Sequence, residues 1–429
     1  MPSMSTTTTP HTLPAGMVGM GMIFDETYRP FFERAHAAHL WDRRFGEVTI
    51  PLVAVATRTG SRAERYRRAA TGLIHPFESY TGDDSIGQLV RSGVKVACVA
   101  TPDNRHFDAA KQVLEAGVHL LIEKPSVLSL AELDELDRIA RKNNVLAKVV
   151  YHKLLDPDHK RLRTLVADGV LSHVNNGYCS LLEPKSISGG QFAEWIKGRN
   201  PGTYVAVHYI KLIDFTFGGK LKSVSARGQR GLVGPADGPT WDSCQMRMVY
   251  EYDSGREAAF DIHTSWVTPD NFPGYVEQEV QFRFDNGVWN GHSRKRGIEL
   301  TVEGKTPITM KTTINTHYNG AGLEPWGERT QRGYGVEVIE RFFREVALVE
   351  LGGPASERPA RLEQARTLLY NDLSADRQTV AAVQALEAIL DDAANGRADS
   401  VVHVNGQAGG LALWRVGERE PVVLYGPRV

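Results

Sequence analysis

Long apolar runs are missing from this 429-residue chain. None approaches the roughly 20 consecutive apolar residues that a membrane-spanning helix needs, so no membrane partner is expected. Cysteine is scarce. Cys98, Cys179 and Cys244 lie far apart, are odd in number and form no CxxC pair, which argues against a disulfide framework and against a zinc knuckle. A reducing, cytoplasmic setting fits this usage, and Cys98, inside "VKVACVA", reads as a small core side chain. Net charge is also lacking: 50 basic residues face 51 acidic ones. Such a balance gives no long-range pull toward nucleic acid or an anionic surface. Ligands must be recognised locally, and a neutral or mildly polar one is expected. The opening "MPSMSTTTTPHTLPAG" lacks the charged-then-apolar order of a secretory signal, and its Thr and Pro content reads as a flexible tail over 1–15.

What is present is ordinary for a globular protein, with 41% hydrophobic and 24% charged residues in a chain long enough for two domains. Between 16 and 150, short β-branched runs alternate with helical patterns: "AGMVGM", "VTIPLVAVAT", "KVACVAT", "VHLLIE" and "VLAKVVY" are separated by segments such as "FDAAKQVLEAG" and "SLAELDELDRIARKNN". Five strands that are apolar almost throughout imply a parallel α/β sheet covered on both faces, a Rossmann-type domain. Beyond Tyr151 the texture changes. "QMRMVYEYDSGREAAFDIHTSW" and "EQEVQFRFDNGVWNG" alternate with period two, and Ser254-Gly255, Asn286-Gly287 and Asn290-Gly291 read as hairpin turns. A second, α+β domain over 151–429, built on a mostly antiparallel open-faced sheet, is expected. It ends in helical segments, the last stopped by Gly396.

Four stretches carry chemistry. Gly19 and Gly21 follow the first strand and precede a helix, where glycines let backbone amides approach a pyrophosphate. A glycine pair making only a tight strand-to-helix turn is the alternative. Phe24 stands where a third glycine is usual, which predicts a first helix that starts late or stands off, with Phe24 packed beneath it and Asp25 as a candidate N-cap. After the second strand come Thr57, Arg58 and Arg62, with no carboxylate to take a ribose 2′-hydroxyl. Two guanidinium groups there suit a 2′-phosphate, hence NADP over NAD, unless both arginines are merely solvated. "TPDNRH" (Thr101, Pro102, Asn104, His106) and "EKP" (Glu123, Lys124) end the next two strands, on the side where open α/β sheets bind ligands.

A desolvated lysine near a positively charged ring has a lowered pKa suited to removing a hydroxyl proton. Farther on, "GTYVAVHYIKLIDF" reads as a helix ending at Gly218-Gly219, with Tyr204, His208 and Lys211 on one face and Asp214 turned away. "YHKLLDPDHK" has no metal-site spacing, and Pro157 is expected to interrupt any helix there.

"VGMGMI", "ATPDNRHFDAAKQVLEAGVHLLIEKPSVLSLAELDEL" and "EWIKGRNPGTYVAVHYIKLIDF" resemble the Gfo/Idh/MocA oxidoreductases, well over the first domain and more loosely over 151–214. The resemblance implies an NAD- or NADP-binding Rossmann domain and a second-domain sheet that makes a homo-oligomer. It also implies hydride transfer between the nicotinamide and a secondary alcohol of a sugar, cyclitol or sugar derivative. By resemblance Lys124 is the acid/base lysine, in a Lys-Pro bond expected to be cis, with His208 and Tyr204 positioning the hydroxyl or relaying its proton. The turn Gly19, Gly21, Met22, Ile23, the Thr101–His106 segment and Glu123 lie on the cofactor side. Lys153, Trp195 and Lys211 lie where substrate is held. Tyr204 and Lys211 stand where many members carry Asp, which leaves two other readings open. One is redox-neutral glycoside cleavage by transient oxidation with a tightly bound cofactor; the other is a cofactor-binding sensor without turnover.

Overall fold

The computed structural model describes residues 10–70, 72–186, 196–270, 276–292, 298–303, 309–397, 399–405 and 410–426. They fall into two compact units. The first gathers described residues of Met1–Glu123, Glu135–Val150 and Ala321–Leu373, and the second those of Lys124–Asp134, Tyr151–Gly320 and Ser374–Val429.

In the first unit the apolar runs form β1 (Ala15–Val18), β2 (Leu52–Ala56), β3 (Glu78–Tyr80), β4 (Val96–Val99), β5 (His119–Ile122) and β6 (Ala147–Val149). All pair in parallel, in the order β3-β2-β1-β4-β5-β6. Between them run α1 (Arg29–Ala37), α2 (Ser61–Ala69), α3 (Ser85–Arg91), α4 (His106–Glu115) and the part of α5 (Leu130–Lys142) from Glu135 onward. Every residue of β1 and β4 is buried, as their unbroken apolar character requires. The order reverses between β1 and β4, the switch point at which such sheets open a crevice beyond their strand ends. The strand expected over "VTIPLVAVAT" is two: Pro51, with no N–H to donate, separates β2 from Gly46–Thr49. That piece joins His11–Thr12 and Leu40–Asp42 in a small sheet, so regular structure begins upstream of Gly16.

The first helix does not start late. Helical backbone begins at Met22, and Phe24 is accommodated by a π turn over Phe24–Tyr28 that continues into α1. Phe24 is buried, edge-on to Tyr66 at 5.1 Å between ring centroids. The wide turn supplies the room that a third glycine gives elsewhere. Asp25 lies inside this turn and caps nothing.

A single boundary at 150/151 does not describe the units. The helices Tyr334–Leu351 and Arg358–Thr367 belong to the first. Their apolar face makes the attachment: Phe343 stacks on Phe31 at 4.8 Å. A buried ion pair adds to it, Lys148 Nζ to Glu345 Oε2 at 2.7 Å.

The second unit is built on β7 (Val174–Pro184), β8 (Lys220–Gln229), β9 (Ser243–Glu251), β10 (Glu257–Thr268), β11 (Glu277–Phe284), β12 (Val288–His292), β13 (Val401–Asn405), β14 (Gly410–Trp414) and β15 (Val422–Tyr425). These form one nine-stranded sheet in the order β12-β11-β7-β10-β9-β8-β13-β14-β15. Only β7 and β10 run parallel. Period-two burial is clean in β10, where Ala258, Phe260, Ile262, Thr264 and Trp266 are buried and their neighbours half-exposed. The buried face carries α7 (Val207–Phe217), whose Phe217 stacks on Phe260 at 5.7 Å. It also carries the helix Arg377–Ala394, whose Gln378 accepts from Leu221 N. Gly255 sits in the β9–β10 turn with φ 76° and Gly287 between β11 and β12, whereas Asn290-Gly291 lies inside β12. Pro157 starts α6 (Pro157–Ala167) rather than interrupting a helix, with Asp156 accepting from Asp158 N as its cap.

Candidate active site

At the switch point of the first unit, β1 runs into Gly19. Its φ is 89°, and an added Cβ would lie 2.5 Å from Ala100 O. Glycine is required there by backbone conformation and close approach alike. Gly21 differs. A Cβ on it would meet nothing within 4 Å, so the surrounding protein does not demand glycine and the space beside the turn is open. The helical segment that follows has no side-chain cap at Ile23, so its start presents the positive end of the helix dipole to the crevice. Beside Gly19, the Thr101 Oγ1 atom is buried without a hydrogen-bond partner. An open cradle, an uncapped helix start and an orphaned hydroxyl at a switch point fit a dinucleotide pyrophosphate.

Beyond β2, Thr57 Oγ1 accepts from Gly60 N at 3.1 Å and shapes the loop. Arg62 donates to Met20 O at 3.1 Å, which ties α2 to the glycine turn. Arg58 and Arg62 are exposed. Gly60, at φ 75°, precedes α2 and leaves it without a side-chain cap. Exposed guanidinium groups beside an uncapped helix start can receive an anion. Beyond β4, Pro102 leads a short turn and Asn104 is exposed, while His106 is buried and bonds through its Nε2 to Thr101 O at 2.8 Å. The structure therefore makes His106 a positioning residue for Thr101. Glu123, at the end of β5, is buried and accepts from the Tyr28 hydroxyl at 2.9 Å. Tyr28 is a partner that sequence reasoning missed; only its place about two turns after the glycine pair hinted at it.

In the second unit, Lys124 begins the segment after β5, in a cis peptide bond with Pro125. Its Nζ donates to Tyr204 O at 2.9 Å and sits 4.0 Å from the centre of the Tyr204 ring. Tyr204 precedes α7 in a second π turn, Gly202–Ala206. His208 follows in α7; its ring lies 6.1 Å from that of His152, which in turn packs edge-on against Tyr318 at 5.6 Å. His208 Nδ1 and His152 Nε2 are buried with no hydrogen-bond partner. Burial first, then the amines of Lys124 and Lys153, push the His152 imidazole down to about 3. Burial, Lys124, His152, Lys153 and His159 hold His208 well below the usual histidine range. Both rings are neutral near neutrality. Lys153 is buried, bonds to the Gln278 side-chain oxygen and lies 5.8 Å from the centre of the Tyr209 ring. His152 is a neighbour of the site that sequence reasoning missed, although its adjacency to Lys153 was an available signal.

The structure brings Lys124, Tyr204, His208 and Lys153 together but not Lys211. Lys211 is fully buried; its Nζ donates to Ala375 O at 2.5 Å and lies 3.7 Å from Asp376 and 3.5 Å from Asp214. Asp376 also accepts from Ser126 and from the Tyr151 hydroxyl. Lys211 thus serves a buried ion-pair network, not a substrate. The shared helical face fails because the π turn adds a residue to one turn, shifting i,i+4 arithmetic across it. Trp195 lies outside the described residues.

Within the first unit a cavity of about 1180 Å³ opens against Phe24, Arg29, Tyr66 and Leu323. Met20, Asp25 and Arg62 are among its walls, so it borders the glycine turn and α2, whereas Gly19, Thr101 and Glu123 do not line it. Among the described residues no cluster of His, Cys, Asp and Glu is arranged to hold a metal ion, and no helix is long and apolar enough to cross a membrane.

Comparison with known proteins agrees with this geometry. Residues 13–151 match the model of an oxidoreductase family with an NAD-binding Rossmann fold. An uncharacterized oxidoreductase of Escherichia coli, YdgJ, is 35% identical over 81 residues, 19% of this chain and 23% of that protein. The NADP(+)-dependent scyllo-inositol 2-dehydrogenase IolW of Bacillus subtilis is 27% identical over 117 residues, 27% of this chain and 30% of that protein. These matches span less than a third of the relatives' length. An inositol dehydrogenase homolog from Azotobacter vinelandii, solved with NADH and myo-inositol, aligns over 90% of this chain and 96% of its own, with a TM-score of 0.61 and 18% identity. At that identity the likeness is one of fold.

Proposed function

Since this chain belongs, through residues 13–151, to the Gfo/Idh/MocA oxidoreductases with their NAD-binding Rossmann fold, we propose that it transfers hydride between NAD(P) and a secondary alcohol of a sugar, cyclitol or sugar derivative. The observation that carries this reading is the crevice at Gly19, Gly21 and Thr101, with Lys124 one peptide bond beyond Glu123. Covalent continuity holds the Cα atoms of Glu123 and Lys124 about 3.8 Å apart.

When bound, the nicotinamide supplies or accepts the hydride; the chain's side chains do the rest. Gly21 and the uncapped helix start receive the pyrophosphate, and Thr101 Oγ1 donates to the bound cofactor. Arg58 and Arg62 receive a 2′-phosphate, so NADP is favoured over NAD. Lys124 takes the hydroxyl proton as the carbinol is oxidised and returns it in the reverse direction. Tyr204 holds that amine through its carbonyl and ring. His208, kept neutral by burial and by Lys124, orients the hydroxyl by a hydrogen bond and stores no proton. The half-exposed face of the nine-stranded sheet is the surface through which copies of the chain pair, and light scattering should show more than a monomer.

The deciding experiment titrates the purified chain with NADPH and NADH, then screens the tighter cofactor against sugars and cyclitols. Binding with alcohol-dependent reduction is expected, tighter for NADP, and Arg58→Ala or Arg62→Ala should shrink that preference. Protein that binds neither nucleotide defeats the reading.

A further inference from the structure

Two imidazoles of the second unit are held firmly and have nothing to bond. His152 opens the short turn His152–Leu154, which its own carbonyl closes by accepting from Leu155 N at 3.0 Å. Tyr318 packs edge-on against its ring at 5.6 Å, and Tyr318 is seated by the Asn315 side chain, which accepts from Tyr318 N at 3.4 Å. His208 comes from another element, the first turn of α7, and its ring centre lies 6.1 Å from that of His152. His152 is 5% exposed, yet its Nε2 has no hydrogen-bond partner, and neither has the buried His208 Nδ1. The amine of Lys124 lies beside this pair, because it donates to the carbonyl of Tyr204 in the turn that leads into His208.

A buried ring nitrogen without a partner costs free energy, and such groups are rare unless water or a ligand supplies the bond. Packing alone does not require imidazole at 152, since an apolar ring could meet Tyr318 edge-on and strand no nitrogen. Both rings are neutral, so each offers one donor and one acceptor nitrogen, which matches hydroxyl groups that donate and accept in turn. Two hydrogen bonds of about 2.9 Å each are comparable to the 6.1 Å between ring centres. Oxygens on adjacent carbons of one ligand can therefore reach both rings. We propose that His152 is a second substrate-binding residue, which bonds the hydroxyl on the carbon next to the one oxidised while His208 and Lys124 hold the reacting hydroxyl. The ligand class is a polyol with two adjacent secondary hydroxyls; a lone secondary alcohol leaves His152 unpaired. This rests on the hydride-transfer reading and deepens it. A site built to bond a hydroxyl rejects the analogue that lacks it, so His152 sets specificity.

The test uses the full chain with its tighter-binding nicotinamide nucleotide. Initial rates, and by calorimetry the affinity of the nucleotide-loaded protein, are measured for myo-inositol and D-glucose and for their monodeoxy analogues, each lacking one hydroxyl. An analogue that keeps the reacting hydroxyl but lacks its neighbour should lose at least about tenfold in kcat/KM, about 1.4 kcal/mol. In His152→Phe, which keeps an aromatic edge contact with Tyr318 but cannot hydrogen-bond, the ratio of parent compound to analogue should fall toward one, mostly through KM. His152→Gln, with a donor and an acceptor, should restore part of it. A purely structural His152 lowers both compounds alike, so a ratio unchanged in His152→Phe overturns the proposal. A wild-type panel in which no neighbouring hydroxyl matters overturns it without any variant. Because nucleotide binding is read separately, failure to bind NAD(P) strikes the hydride-transfer reading. Nucleotide binding with neither polyol taken, or taken with no such loss, strikes this proposal alone.

Discussion

Lys124 donates to the carbonyl of Tyr204 and lies over its ring, so the backbone and the aromatic face hold the amine. Lys124→Met should lower turnover by about 10²–10⁴-fold, the usual range for a positioned acid/base group, with nucleotide affinity, followed by NAD(P)H fluorescence, little changed. Tyr204→Phe keeps both contacts and should retain most activity. Tyr204→Ala removes the ring, an interaction of about 0.5–2 kcal/mol, and should lose considerably more. Equal losses in the two variants would show that the phenol itself is needed. In the sequence, Lys124 is marked by its place after a parallel strand and His208 by its place on the helix "YVAVHYIKLIDF". The ring and carbonyl contacts of Tyr204 are not marked, since sequence spacing does not report which atoms of a residue another will meet.

The glycine turn separates two demands made on neighbouring positions of one element. Gly19→Ala forces a left-handed backbone and a Cβ 2.5 Å from Ala100 O, and should cost on the order of 1–3 kcal/mol, read as a lowered Tm. Gly21→Ala meets open space and should leave Tm almost unchanged while weakening nucleotide binding. A Gly21→Ala protein that binds NAD(P) normally contradicts the pyrophosphate assignment. On α7, Lys211 neutralises Asp376, which is itself fully buried. Lys211→Met strands that carboxylate and should destabilise by about 3–5 kcal/mol, measured by urea denaturation. The apolar periodicity of α7 announced the helix, but the preceding π turn, which decides where Tyr204 points relative to Lys211, has no periodic signature of its own.

Across the whole molecule, histidines buried in neutral form tie stability to pH. Burial, then the amines of Lys124 and Lys153, push the His152 imidazole down to about 3, well below the ordinary histidine range. His208 is likewise held well below the usual histidine range, first by burial, and His119 is lowered by burial against the opposing pull of Glu350. A lowered folded pKa means the unfolded chain binds the proton first. Stability from these groups is therefore complete above the ordinary histidine range and declines as pH falls through it, by up to about 1.4 kcal/mol per pH unit for each neutral ring. The urea midpoint should fall steadily on acidification below neutrality, and His152→Phe should flatten the decline. A midpoint unchanged across that range counts against the buried neutral rings.

The sequence by itself determined the parallel Rossmann sheet, the second antiparallel sheet and the strand-end motifs. Apolar runs, period-two alternation and glycine placement are local properties, and they survive folding. Tertiary structure decided what depends on distant chain segments meeting. Tyr334–Leu351 joined the first unit because its aromatic face fits Phe31. Lys211 was drawn to Asp376, 165 positions along the chain, and His152 was set beside His208. Burial then left the His152 and His208 rings neutral, because solvent exclusion and long-range proximity are fixed only when the chain is folded.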